Sequence, residues 1–560
     1  MIILGMHIVG HEPNFSIIRD GKVKRVLEGE RLTGDRYGIG MPLVAFKTYG
    51  DEDFIKGSTY WSNVLIDFLS NGLEANEKIF CVAWSDPFHN KVVELQKNLC
   101  AEVIKKTFLK HKHFFSEDFD YQKKFYNVPH HLCHAAAAFF TSPYKSSLIF
   151  SFDGQGTDGY TVFFNGEGNK IKRIRSYDYQ LGHSYVFARK IVNEDFGYEE
   201  TVPGKLMGLA AYGKLNDHFY NESRRYLEVS KGGKKLLQSH IIEGAPGTKD
   251  LKKEMFEVFN GIGDQRALDW LASFQKAWSD LVLELIKQVQ SIVPSKNICL
   301  TGGCSLNVIT NRMILDQITK NVYVLPNPSD CGLSMGAALY VYYVIEGNKW
   351  NGLDKAISPY LGLEVRDTKK IDEYISHSNY IGVKSIKDLA KLLHQGKIIG
   401  IVQGLSEIGP RALGNRSILC SPLFKNMKDD LNSKVKFREW YRPFAAVTKR
   451  EEVKNYFDKS LDSPYMSFVV NVNNECISKL PAINHVDNTV RVQTITKDQN
   501  TFLWELLDEF KKESGFGVLL NTSFNTKGKA MLSTISEALS ILDKTQLDGI
   551  YHEGHLWLKS

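Results

Sequence analysis

Apolar residues fall in short blocks separated by turn residues along most of the chain. The opening MIILGMHIVGHEPNFSII predicts a buried strand, then a turn at Asp20-Gly21, a second strand and a polar, glycine-rich loop to about residue 45. KSSLIFSFDG (145–154) reads as a strand ending in Asp-Gly turns, with TDGYTVFFNG (157–166) returning antiparallel to it. KNICLTGGCSLN (296–307) is a strand feeding a Gly-Gly turn and a helix, and ALDWLASFQKAWSDLVLELIKQVQSIV (267–293) carries helical periodicity. The alternation predicts an α/β protein. A shift in composition near KWNGLDKAISPYLGLEV (349–365) divides it into a larger region, 1–352, and a smaller one, 353–560. No fixed-period repeat stands out.

Composition changes this picture little. At 560 residues the chain is too long for one compact core, and 43% hydrophobic with 24% charged residues excludes a mainly disordered protein. No apolar run approaches the roughly 18 residues of a spanning helix. The start has no basic n-region, so a cytoplasmic protein with no membrane partner is expected. The net charge of +6 is mild for this length and does not by itself argue for nucleic-acid binding. The eight cysteines contain no C-x-x-C pair and read as reduced, mostly buried thiols.

Four single stretches and one group of four could carry chemistry. In VPHHLCHAAAAFF (128–140), His130 and His134 are four apart and share a helix face, close enough to hold one metal; His131 is a competing neighbour. The plain alternative is a histidine cluster bonded to backbone. Asp153 in SFDGQGTDG ends a strand before glycines, which suits a metal or a phosphate but equally an ordinary hairpin. Gly302, Gly303 and Asn307 in TGGCSLN form a strand-to-helix turn able to face a nucleotide, without the Lys of a Walker loop. Asp330 in NPSDCG is a second strand-end carboxylate, or simply a helix cap. GPRALGNRS (409–417), KFREWYRPF (436–444), HVDNTVR (485–491) and LNTSFN (520–525) cluster Arg and Lys with Ser and Asn donors, a pattern that fits a phosphate-like oxyanion.

Together HHLCHAAAAF, SFDGQGTDG, PGKLMGLAAYG, TGGCSLN, NPSDCGLSMGAA, GPRALGNRSIL, KVKFREWYRPFA, HVDNTVRVQT and LLNTSFN resemble, in order and over nearly the whole chain, the O-carbamoyltransferases of antibiotic tailoring and nodulation-factor synthesis. The resemblance implies an actin-like ATPase-type domain, of the threonylcarbamoyl-transferase-like kind, followed by a smaller YrdC-like domain. It implies that the second makes carbamoyl-adenylate from carbamoyl phosphate and ATP with Mg²⁺, and that the first moves the carbamoyl group to a hydroxyl acceptor. Carried over by motif, the metal ligands are His130, His134, Asp153 and Asp330. Iron is the family's metal, while imidazole and carboxylate also suit manganese or zinc. Carbamoyl phosphate falls to Arg411, Lys436, Arg442, Arg491, Asn521 and Ser523. His11, Arg36, Gly302, Gly303 and Asn307 fall to ATP or the adenylate. His130, His134, Arg411, Lys436 and Arg442 are the catalytic set.

The family's His-Asp-Ala-Ser stretch reads His11-Glu12-Pro13-Asn14 here, and Arg36 and Tyr37 stand where Lys and His are usual. These departures leave the acceptor open: a sugar of a natural product or glycan fits the family best, and a hydroxymethylated base in DNA is a second candidate. A homodimer is compatible with the sequence. The rival readings are a tRNA threonylcarbamoyl-modifying enzyme, normally split over separate chains, and a nucleotide-binding scaffold without activity. A hydrogenase-maturation enzyme is disfavoured because its acylphosphatase segment and C-x-x-C motifs are missing.

Overall fold

A computed structural model describes residues 1–38, 51–87, 92–229 and 257–559. The end of the expected glycine-rich loop, residues 39–45, lies outside them. Strands β1 (Ile2–His7), β2 (Asn14–Arg19) and β3 (Lys22–Glu28) form an antiparallel meander. Asp20 and Gly21 both take positive φ (48° and 73°) at the expected tight turn. β4 (Ile79–Ser85) and β5 (Phe125–Val128) then add in parallel on the other side of β1, giving the order β3-β2-β1-β4-β5.

The next sheet repeats this plan. β6 (Ser146–Gly156), β7 (Gly159–Glu167) and β8 (Lys170–Tyr177) form a meander, and β9 (Asn297–Thr301) and β10 (Asn321–Val324) add in parallel beside β6. The order is β10-β9-β6-β7-β8, the mirror listing of the first. This pair of matching sheets is the actin-like, ATPase-type architecture that the motifs implied. The edge strand β8, KIKRIRSY, is studded with exposed cations that discourage pairing with another chain.

The helix His130–Phe139 lies buried beside both sheets, and its alanines let the helix Leu333–Tyr340 approach closely. A Cβ on Gly336 would stand 1.9 Å from the Cys133 carbonyl oxygen, so only glycine fits there. The helix Gln265–Gln290 buries Trp270, Phe274 and Trp278 in the largest core, under β6 and β7.

The rest of the chain builds a nine-stranded sheet from β11 (Tyr380–Val383), β12 (Ile399–Val402), β13 (Arg416–Cys420), β14 (Ala445–Lys449), β15 (Val469–Asn471), β16 (Thr489–Ile495), β17 (Val518–Ser523), β18 (Gly549–His552) and β19 (His555–Leu558). Its order is β11-β19-β18-β12-β13-β17-β14-β16-β15. The helices Ile386–His394 and Thr501–Ser514 share one core with it.

A buried ion pair joins this sheet to the first. Arg31 donates to Glu28 at 3.1 Å and to the Gly409 carbonyl at 2.7 Å, and the Gly409 amide donates to Glu28 at 2.5 Å. The Gly-Pro-Arg turn is therefore held from the N-terminal region. The cysteines are free thiols, all buried except the half-buried Cys304. No helix among the described residues is long and apolar enough to cross a membrane.

Candidate active site

The four residues expected to bind metal converge from three elements. His130 and His134 come from the alanine-rich helix, Asp153 from the irregular end of β6, and Asp330 from the short turn before the helix Leu333–Tyr340. One ligand atom from each lies within 4.8 Å of the others. His130 Nε2 is 3.3 Å from Asp153 and 3.6 Å from Asp330, and His134 Nε2 is 3.6 Å and 3.4 Å from the same two.

The local sequence explains the convergence. β6 shifts register against β7 between Phe152 and Gly156, which turns Asp153 out of the ladder. The Gly303 amide fixes its other oxygen at 2.7 Å. A Cβ on Gly302, whose φ is +86°, would sit 2.3 Å from the Phe152 carbonyl oxygen, so the Gly-Gly pair is what lets the two strand ends meet.

The hydrogen bonding of the cluster is incomplete. His134 Nε2 and both Asp330 carboxylate oxygens are buried with no partner at hydrogen-bond geometry. Burial opposes charge on these groups, but the imidazoles of His130 and His11 hold the Asp330 carboxyl down at about 2. For His134, burial is outweighed by the Asp153 and Asp330 carboxylates, which raise it to about 9. Two imidazoles and two carboxylates with unsatisfied atoms fit a divalent ion. The donor set does not select among iron, manganese and zinc.

The plain readings divide residue by residue. His131 is the backbone-bonded histidine: its ring meets Ser151 Oγ at 2.8 Å and the Gly159 carbonyl at 3.0 Å, and burial lowers it to about 4. Asp330 caps no helix, because the helix it precedes has Gly332 as its N-cap. Asn307 does cap one, accepting from the Thr310 amide at 3.1 Å.

The five residues expected around ATP or the adenylate do not form one group. His11 approaches Asp330 at 3.6 Å, and Gly302 and Gly303 back Asp153. The Gly302 amide is already engaged with the Pro328 carbonyl at 2.8 Å. Arg36 opens instead on a second site.

That second site is a cavity of about 380 Å³ between the two regions, lined by Arg36, Arg411, Lys436, Arg442, Arg491, Asn521 and Ser523. Burial lowers the Arg411 guanidinium to about 10, with Arg36 and Arg442 adding repulsion. Burial and then neighbouring arginines also push down Arg491, whose Nε is buried without a partner. Lys436 is held by the turn after β17, donating to the Ser523 and Asn525 carbonyls at 2.6 Å each. The companion of Arg411 in the GPRALGNRS stretch, Arg416, has a different role: it is fully buried and donates to the carbonyls of Gln403, Gly404 and Asn415.

Sequence reasoning read Arg438 only as one cation of the KFREWYRPF stretch and did not single out Glu439 or Lys205. Arg438 lies over the Phe444 ring at 4.4 Å, with its Nε fixed by Asn432 at 2.7 Å. Glu439 is a carboxylate on the same cationic wall, held down at about 2 because backbone bonding, Lys205 and Arg442 outweigh burial. Lys205 reaches in from the first region. The signal for Arg438 and Glu439 was present in KFREWYRPF, where four of nine residues are charged. A smaller cavity of about 30 Å³ is lined by Glu12 and Cys331 on one side, and shares Arg36, Pro410, Ser523 and Asn525 with the larger one.

A buried histidine–aspartate cluster beside matched sheets, in a chain that also carries an arginine-lined cavity, suits a group-transfer enzyme handling an anionic donor. The carbamoyltransferase N-terminus family matches residues 63–339 and the carbamoyltransferase C-terminus family matches residues 390–559. The nodulation protein NolNO of Sinorhizobium fredii is 28% identical over 96% of this chain and 78% of its own length. The nodulation protein NolO of Bradyrhizobium diazoefficiens is 30% identical over 75% of this chain and 77% of its own. Among solved structures, full-length HypF in a phosphate- and nucleotide-bound form aligns at a TM-score of 0.32 and 14% identity, over 62% of this chain and 56% of that one, a likeness too slight to carry an argument. The chain belongs to the carbamoyltransferase family, and it is an enzyme of that class.

Proposed function

We propose that the protein is an ATP-dependent O-carbamoyltransferase whose two sites carry successive half-reactions. The reading divides the chain near residue 352, with a YrdC-like second region. There carbamoyl phosphate loses its phosphate to water, and the carbamate released attacks the α-phosphorus of ATP. Carbamoyl-adenylate and pyrophosphate form, with Mg²⁺ offsetting the triphosphate charge. In the first region the acceptor hydroxyl attacks the carbamoyl carbon, AMP leaves and a carbamate ester results.

The observation that carries this reading is the cavity's charge. Arg36, Arg411, Lys436, Arg438, Arg442 and Arg491 face Glu439 and Asp487 alone as carboxylates on that wall. Half-buried guanidinium groups with few counter-charges are costly, and an anion with several oxygens relieves them through paired hydrogen bonds. Arg411, Arg442 and Arg491 would hold the phosphate, with Asn521 and Ser523 as neutral donors. Lys436, already committed to the turn at 523–525, would add charge and position Ser523.

His130, His134, Asp153 and Asp330 would hold the divalent ion. Bound there, it would polarise the carbamoyl oxygen as a Lewis acid. His11, 3.6 Å from Asp330, stands where a hydroxyl proton could be received.

The acceptor is proposed to be a sugar hydroxyl of a natural product or glycan. Incubation of such acceptors, and separately of hydroxymethylated DNA, with ATP and carbamoyl phosphate should add one CONH to the sugar by mass spectrometry. Addition only to DNA would reassign the acceptor. AMP and pyrophosphate release that does not require carbamoyl phosphate would overturn the chemistry.

A further inference from the structure

We propose that Lys205 is a positioning residue that reaches from the first region, through Glu439, to set the guanidinium of Arg442, so that the anion pocket is complete only while the helix Val202–Ala210 is docked. The inference deepens the proposed use of carbamoyl phosphate and rests on it.

Lys205 is 7% exposed, and a buried ammonium needs partners. Its Nζ donates to the Phe196 carbonyl at 2.6 Å and meets Glu439 Oε1 at 3.0 Å, an oxygen that the exposed Lys527 approaches more loosely at 3.5 Å. The other oxygen of Glu439 faces Arg442 Nη1 at 3.4 Å. The chain of charges therefore alternates, cation–anion–cation, across the join between the regions. All three side chains line the arginine cavity. A carboxylate on such a wall would normally draw an arginine away from a bound anion. With Lys205 sharing its charge, Glu439 can orient Arg442 and still leave it attractive to phosphate.

Other contacts hold the helix, so Lys205 is not needed as a fastener. The Gly208 carbonyl accepts from His485 Nε2 at 2.9 Å, and a Cβ on Gly208 would come within 3.3 Å of Pro443. Tyr441, from the same turn as Arg442, is 1% exposed and packs in the first region's largest core. Removal of the ammonium should therefore change the pocket more than the fold.

The test is the carbamoyl-phosphate dependence of ATP–pyrophosphate exchange by the full chain. Lys205→Met should raise KM for carbamoyl phosphate by about tenfold or more, with kcat and the KM for ATP much less affected. Lys205→Arg should recover most of that loss. Glu439→Gln should raise the same KM, and the double variant should be no worse than the poorer single one, because both break one chain. Transfer from supplied carbamoyl-adenylate should be unchanged. If Lys205→Met does not fold, Glu439→Gln, at a position still 22% exposed, carries the test alone. An unmoved KM, or effects that multiply in the double variant, would overturn the inference while leaving the proposed function standing. Absence of exchange in the unaltered protein would instead remove the reading beneath it.

Discussion

The histidine–aspartate cluster and the arginine cavity are opposites in charge and alike in incompleteness. In the first, buried Asp330 oxygens have no donor; in the second, the buried Arg491 Nε has no acceptor. Each is expensive for the fold and is relieved by a ligand of the other sign, a cation in one and an oxyanion in the other. They also differ in construction. The cluster is built within the first region from a helix, the end of β6 and a short turn, so its geometry is set by local packing. The cavity needs both regions, with Lys205 on one wall and Arg442 on the other. One site is a property of a domain and the other a property of an assembly.

The sharpest way to break this contrast is at the cluster. Asp330→Asn should lower bound metal and acceptor carbamoylation together, each by at least about a hundredfold, as read by elemental analysis and product mass spectrometry. Full metal content with lost activity would detach the carboxylate from metal binding.

A substitution in the cavity should behave differently. Arg491→Met should raise KM for carbamoyl phosphate by about tenfold and yet raise the Tm of the unliganded protein by a few degrees, because it removes a half-buried charge that neighbouring arginines repel. A fall in Tm on calorimetry would mean that the guanidinium is compensated in the free protein.

The smallest expected effect separates cap from ligand. Asn307→Ala should cost about 1 kcal/mol of stability through its lost helix cap, with the KM for ATP within about twofold of the original. A large rise in that KM would return Asn307 to the nucleotide.

The contrast also explains what could be read from the chain beforehand. The pairing of His130 and His134 was legible in their spacing on one helical face, whereas the addition of Asp153 and Asp330 was implied only by the family resemblance, because nothing local links the two aspartates. Spacing did not separate His131 from the histidine pair; that needed its bonds to Ser151 and Gly159, which come from the neighbouring hairpin. The duplicated order of the two sheets was hidden because the strands repeat in topology and not in sequence: β3 and β8 occupy the same place with dissimilar residues. In the cavity, the motif supplied the cations but not their division of labour. Arg411 and Arg416 lie five residues apart, yet one lines the cavity while the other is fully enclosed by backbone carbonyls. Lys205 was beyond reach because its partner Glu439 belongs to the other region, and no local pattern links them.

The central claim is that two separable sites carry two half-reactions. It is tested most directly by measuring carbamoyl-phosphate-dependent ATP–pyrophosphate exchange in His134→Ala beside Arg442→Ala. The account predicts exchange near the original rate in the first and none in the second. Loss of exchange in both, or its survival in Arg442→Ala, would contradict it.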